Sequence, residues 1–290
     1  MSNIITLSSH HIVPNSYNNT LRYEFPGSSV NFTNSELAMH SINMCNSQFN
    51  INPSAYGNNS FKLSMPTGNT YSTVQITLPS GYYSYSAINS AMQSAMISAG
   101  AYLIYADGDN VFYANSSETP TYYSCQVDLS PVPTSLPAGW SRPPSGLSSS
   151  GGTGLPLGYS YVPKLVIDNE EFGKIIGFPL GTTPSRSLYM LQSVLSPIPP
   201  QINPVSSYQM RCSLVSNPFC IPDDILTTFN TAGTTIGQLV SYQPNEFCWV
   251  DVPNGSYASI TLTIVDQEGR FAKLNDTNML ISLIVRQKRS

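Results

Sequence analysis

A two-residue hydrophobic period, repeated along most of this chain, limits its fold more than any other feature. Leu21, Tyr23 and Phe25 alternate with Arg22 and Glu24; Phe61, Leu63 and Met65 alternate with Lys62 and Ser64. The same pattern runs through Val74/Ile76/Leu78, Tyr123/Cys125/Val127/Leu129, Met210/Cys212/Leu214 and Ile260/Leu262/Ile264. Successive strand residues point to opposite faces, so each apolar set covers one face of a half-buried antiparallel strand. Segments 36–49, 111–115, 163–167 and 247–251 are further strands, which brings the core to about eight. Met279–Val285 is apolar on both faces except at Ser282. It suits a central strand, or one whose outer face meets another subunit.

Composition agrees with an all-β fold. Charged residues make up 10% of the 290, against about 25% in an average soluble protein. Hydrophobic residues still reach 41%, which excludes disorder from weak hydrophobicity. The 18 tyrosines and 23 prolines favour strands and turns over long charged helices. A net charge of −4 argues against a dedicated nucleic-acid binder. No apolar run is long enough to span a membrane, and the opening MSNIITLSSHHIVPN lacks the basic and apolar regions of a secretory signal.

One accessory helix is expected over 86–99, where Ile88, Met92 and Met96 fall four apart and Gly100 supplies a stop. A shorter one is expected from Asp168, with Glu171 completing a capping box and Gly177 ending it. The Pro/Gly/Ser-rich stretch 129–160 is expected to be a long surface loop, mobile or ordered by a neighbouring subunit. Neither half shows a complete set of strands, so a single domain over 1–290 is expected.

Candidate chemistry is sparse. His10 and His11 are adjacent, which on a strand sends them to opposite faces, and His40 lies among Ala38, Met39 and Ile42 as a hydrogen-bonded, half-buried residue would. No zinc spacing, nucleophile elbow or phosphate loop occurs, and a Cys45–His40 pair has no third group to orient it. Asp107-Gly-Asp109-Asn110 and Asp266-Gln-Glu268-Gly269 join apolar segments, as tight turns do; calcium is the competing reading. The five scattered cysteines suit reduced, buried thiols. No catalytic residue, cofactor or metal is expected. The basic run Arg286, Lys288, Arg289 suits a solvated tail, with anionic packaged nucleic acid as the alternative contact.

Several strings, in order, resemble the penton (minor capsid) proteins of virophages and polinton-type viruses. They are ITLSSHHIVPNSYNNTLRYEFPGSSVNFTNSELAMHSINMCNSQFNI, NNSFKLSMPTGNTYSTVQITLPSGYYSYSAIN, TPTYYSCQVDLSPVP, EFGKIIGFPLGTTP, PVSSYQMRCSLVSN and ITLTIVDQEGRFAKLNDTNMLISLIVRQ. The resemblance implies a single jelly-roll β-sandwich. Five copies would close each vertex of an icosahedral capsid beside a double-jelly-roll major capsid protein, in a virion assembled inside the host cell. Some relatives insert an extra domain between jelly-roll strands; the spacings here leave no room for one, apart from a small excursion in the 130–160 loop. Tyr71, Tyr82, Tyr83 and Tyr85 lie in an uncharged span, and the outward members of this set are the candidate subunit contacts, since interfaces favour aromatics over Lys, Glu and Asp. The competing function is a carbohydrate-binding attachment module that stacks sugars on Trp140.

Overall fold

The computed structural model describes residues 2–67, 70–133, 135–149, 161–231 and 233–288, excepting the side chain of Pro120. Along the chain come β1 (Ser2–Ser8), β2 (Thr20–Glu24), β3 (Val30–Phe32) and β4 (Ser35–Cys45). There follow α1 (Pro53–Tyr56), β5 (Ser60–Thr67), β6 (Thr70–Thr77), α2 (Tyr85–Ser98), β7 (Leu103–Ile104), β8 (Asn110–Val111), β9 (Ala114–Thr119) and β10 (Ser124–Leu129). Next are β11 (Lys164–Ile167), α3 (Glu170–Ile176), β12 (Gly181–Thr183) and β13 (Gln192–Leu195). The chain ends with β14 (Tyr208–Cys212), β15 (Ile225–Phe229), β16 (Leu239–Tyr242), β17 (Val250–Val252), β18 (Gly255–Tyr257), β19 (Ser259–Asp266) and β20 (Met279–Gln287).

These elements divide between two compact units. The first comprises Met1–Phe49 with Val205–Ser290; the second is Asn50–Pro204, inserted between β4 and β14. In the first unit one large sheet runs β1-β20-β4-β16, with β17 also on β4, a second runs β15-β14-β19-β2, and β3 pairs with β18. The pairs are nested: β1 with β20, β2 with β19, β4 with β16, β14 with β15. That is a long hairpin rolled on itself, the order of a jelly roll. Its core is filled from both sheets, by Leu37, Ile42, Ile281 and Leu283 on one side and Leu21, Met210, Leu262 and Ile264 on the other. Alternation places these residues inward, except that β4 changes phase between Met39 and Ser41, where its register with β20 shifts, so that Leu37 and Ile42 both face the core.

The second unit holds the sheets β12-β11-β5-β6 and β13-β10-β9 and the hairpin β7-β8. Its own core includes Phe61, Leu63, Ile76, Val127, Leu165 and Phe172, closed by Tyr85, Ile88, Met92 and Met96 of α2. This differs from the single domain over 1–290 expected above, which left room for no insertion beyond a small excursion in the 130–160 loop. Period two says which face of a strand is buried, not which sheet the strand joins, so two β-rich units are indistinguishable in the pattern.

Local signals held with small shifts. Ser84 caps α2, its Oγ accepting from the Ala87 N–H at 3.2 Å, and Gly100 follows in the left-handed region at φ +60. For α3 the cap is Asn169, not Asp168: Asn169 Oδ1 accepts from the Phe172 N–H at 3.2 Å, while Asp168 pairs with Lys62 at 2.5 Å. Of the 129–160 stretch, 134 and 150–160 lie outside the described residues. The described part is not a free loop. Val132 packs with Leu103 and Tyr113, and Leu147 and Ser148 donate to the Ala99 and Gly100 carbonyls at 3.0 and 2.8 Å.

Candidate assembly surfaces

The four candidate tyrosines all belong to the second unit and differ in depth. Tyr82 is 45% exposed. Tyr71 is half-buried on β6, donating to the Val162 carbonyl at 3.2 Å, stacking on Tyr161 at 5.9 Å and carrying the Lys164 ammonium 4.5 Å from its ring centre. Burial pushes its phenol above the ordinary value. Tyr83 is half-buried and fastened by Asn50, whose side chain accepts its N–H and donates to its carbonyl, both at 2.8 Å. Tyr85 opens α2 facing the core at 9% exposure, so it is not among the outward members. The helical spacing Tyr85/Ile88/Met92 is the signal that separates it from the other three.

Larger apolar exposure lies elsewhere. Tyr122, Tyr123, Tyr189, Met190 and Leu191 are exposed in the second unit; Ile4, Phe219, Ile221, Leu239 and Phe271 are exposed in the first. The β14–β15 connection is extreme, with Phe219 at 95% and Ile221 at 99%. Exposed large apolar side chains of this kind are candidates for contact surfaces.

The polar candidates resolve into structural roles. Asp266 accepts the Glu268 and Arg270 N–H groups on Oδ1, both at 2.9 Å, and the Arg270 guanidinium on Oδ2 at 2.8 Å, as a turn carboxylate does. Asp107 likewise accepts from the Asp109 N–H at 3.2 Å in the β7–β8 hairpin. His10 and His11 occupy a 3-10 turn rather than a strand, and His11 Nδ1 accepts from the Ser8 N–H at 3.0 Å. His40 is half-buried as expected, but its Nδ1 lacks the expected hydrogen bond; the ring meets Phe247 edge-on at 5.8 Å. The Cys45 thiol is raised by its hydrogen bond to Asp276, the wrong direction for a nucleophile. Arg286 pairs with Glu36 at 2.5 Å and lies 3.7 Å over the Trp249 ring; Lys288 pairs with Asp251 at 2.7 Å. These carboxylates answer the charge offered to an anionic partner, and Arg289 lies outside the described residues. Trp140 is half-buried, its ring 4.3 Å from that of Tyr105, so part of its face is already used.

All five cysteines are unpaired, but only Cys125 and Cys212 are buried; Cys45 and Cys220 are intermediate and Cys248 is exposed. Burial pushes the Cys125 and Cys212 thiols from 9.0 to about 12, and the Tyr85 and Tyr113 phenols from 10.0 to about 12. All four are neutral in both states below their unfolded values. As pH rises past 9 the unfolded chain ionises first, so stability is lost progressively toward pH 12. Urea midpoints measured at successive pH values are expected to be flat in this respect up to pH 9 and then to fall. A midpoint unchanged between pH 9 and 11 would contradict the burial of these groups. At pH 8 a thiol reagent is expected to reach Cys248 at once, and Cys125 and Cys212 only on unfolding.

No helix among the described residues is long and apolar enough to cross a membrane. The first unit defines the class of protein: a jelly roll, the architecture shared by viral capsid domains, lectins and cupins. Among solved structures, the chain is similar to the mavirus penton protein at 11% identity and a TM-score of 0.49, with 99% of each chain covered. It is also similar to a chain of the Sputnik virophage structure at 13% identity and a TM-score of 0.44, covering 98% of this chain and 96% of that one. No protein-family model matches the sequence, and no curated protein does.

Proposed function

We propose that this protein is a structural capsid protein of a virophage-like virus, forming homopentameric pentons at the five-fold vertices. It would sit in the virion beside a double-jelly-roll major capsid protein, with an assembly role rather than a catalytic one. The observation that carries the reading is a jelly roll of low charge that leaves large apolar side chains, Phe219 and Ile221 foremost, in solvent. A chain that stayed alone in solution would gain nothing from such exposure; a chain that assembles covers it. The ordered strings resembling penton proteins support the same assignment, and Tyr82, with the exposed parts of Tyr71 and Tyr83, remains a candidate subunit contact.

The test is the mass of the purified chain in solution, alone and with the major capsid protein. Particles of five chains, or shells that close only in the mixture, are the expected result. A chain that remains monomeric and never joins a shell would refute the assignment.

A further inference from the structure

The β14–β15 connection is a rigid projection. The Asn217 N–H donates to the Asp223 carbonyl at 2.6 Å, the Phe219 N–H to Asn217 Oδ1 at 3.2 Å, and Asn217 Nδ2 to Cys220 Sγ at 3.2 Å. At its base Arg211 pairs with Asp224 at 2.8 Å. Phe219 and Ile221 are thus presented on a backbone already ordered, which removes much of the entropy cost of docking them.

A recess in the same unit has matching chemistry. A cleft of about 290 Å³ is lined mostly by apolar side chains, among them Ile4, Tyr23, Phe25, Val30, Phe32 and Val285, together with the polar Asn3 and Thr6. Its aromatic floor is fixed by ring contacts, Tyr23 on Phe25 at 5.6 Å and Phe25 on Phe32 at 6.1 Å. A cavity of about 150 Å³ accepts benzene. This one therefore has space for a phenyl ring and part of an aliphatic neighbour.

Topology puts projection and recess on opposite edges. β15 and β16 end the two sheets on one side; β1 and β2 end them on the other. The registers Cys212↔Leu262 and Ser259↔Glu24 bring the base of the projection and the Tyr23–Phe25 segment to the same end of their sheet. A knob on one edge and a hole on the other, at one level, cannot satisfy each other within a two-fold contact centred on either patch. They match head to tail, the relation that closes into a ring when repeated by rotation.

We propose that Phe219 and Ile221 of one copy fill the cleft lined by Ile4, Tyr23, Phe25, Val30, Phe32 and Val285 of the next copy. This rests on the pentamer reading and adds the contact that closes the ring.

Two full-length variants test it by native mass spectrometry, Phe219→Asp at the knob and Ile4→Glu at the hole. Both side chains are exposed, so both variants are expected to keep the wild-type circular dichroism and Tm. Each alone is expected to need about 100-fold more protein than wild type to form pentamers. Mixed, they are expected to give one-to-one heterodimers, because the Ile4→Glu copy keeps its knob and the Phe219→Asp copy keeps its hole. Pentamers persisting in both variants would overturn the contact and leave the ring standing. Monomeric variants that give no heterodimer would also overturn it, as would knob and hole each being needed only for binding to the major capsid protein. A wild-type chain that is monomeric at every concentration would overturn ring and contact together.

Discussion

Replacing Phe172 with alanine is expected to cost the Asn50–Pro204 unit about 3–5 kcal/mol. The ring is fully buried on α3 and lies flat on Phe61 of β5, centroids 4.6 Å apart and planes within 4°. The lost area is one part of the cost and the void is the other. α3 has little slack to close that void, because a Cβ on Gly173 would stand 3.0 Å from Ile167 Cγ2 of β11, so the helix is already seated close to that strand. Hydrogen exchange read by mass spectrometry would show the result unit by unit. Amides of the second unit are expected to exchange about 100-fold faster or more, while those of β4, β19 and β20 keep their rates. Equal acceleration in both units would mean that the two cores unfold as one body.

The second large effect is expected at Gly146. Here the 129–149 segment crosses the end of α2 so closely that a Cβ on Gly146 would lie 2.4 Å from the Ala99 carbonyl oxygen and 2.6 Å from Gly100 Cα. The backbone is also at φ +99, where an L side chain is strained. Gly146→Ala must therefore adopt a disfavoured backbone and push the segment off the helix end, loosening the Leu147 and Ser148 hydrogen bonds at 3.0 and 2.8 Å. Together these amount to about 3 kcal/mol, or a Tm lower by about 6–12 °C for a unit of this size. Gly108→Ala, at the similar φ of +97 but with nothing within 4 Å of an added Cβ, serves as the control for the backbone cost alone. A Tm for Gly146→Ala within about 2 °C of wild type would show that the crossing yields freely.

Half-buried strands were legible because burial on one face leaves a mark of period two. β5, β6, β14 and β19 fall where the Phe61, Val74, Met210 and Ile260 alternations lie, and β20 covers the run Met279–Val285 that is apolar on both faces; β10 covers the Cys125/Val127/Leu129 alternation, but Tyr123, read as its first member, stands outside the strand at φ +47 and 83% exposed. Edge strands leave no such mark: in β1 the apolar Ile4 and Ile5 are adjacent, and β16 buries only Val240. The capping of α3 slipped by one residue because Asp168 and Asn169 are chemically equivalent caps, and only the ion pair of Asp168 with Lys62 decides between them. Tyr85 was separable from Tyr82 by helical spacing alone. The exposed knob was not, since Phe219 and Ile221 sit among Pro218, Pro222 and Asp223 with no period to show which way they face. The bonds of Asn217 to Phe219 and Cys220 are those of a local Asx-turn, which fixes the backbone there without showing in the sequence which way the two side chains face.

The position of β20 between β1 and β4 sets an order in time. The inserted unit has every partner it needs once Pro204 has been made, whereas the first sheet of the jelly roll lacks its middle strand until Met279–Gln287 has left the ribosome. β1 and β4 must then wait for β20, which is made after the whole inserted unit. A chain broken off by premature termination would display a finished insertion on an open jelly roll, with Val285 missing from the cleft wall. Synthesis itself would then act as a filter, since a knob arriving from a complete neighbour would find no complete hole to enter.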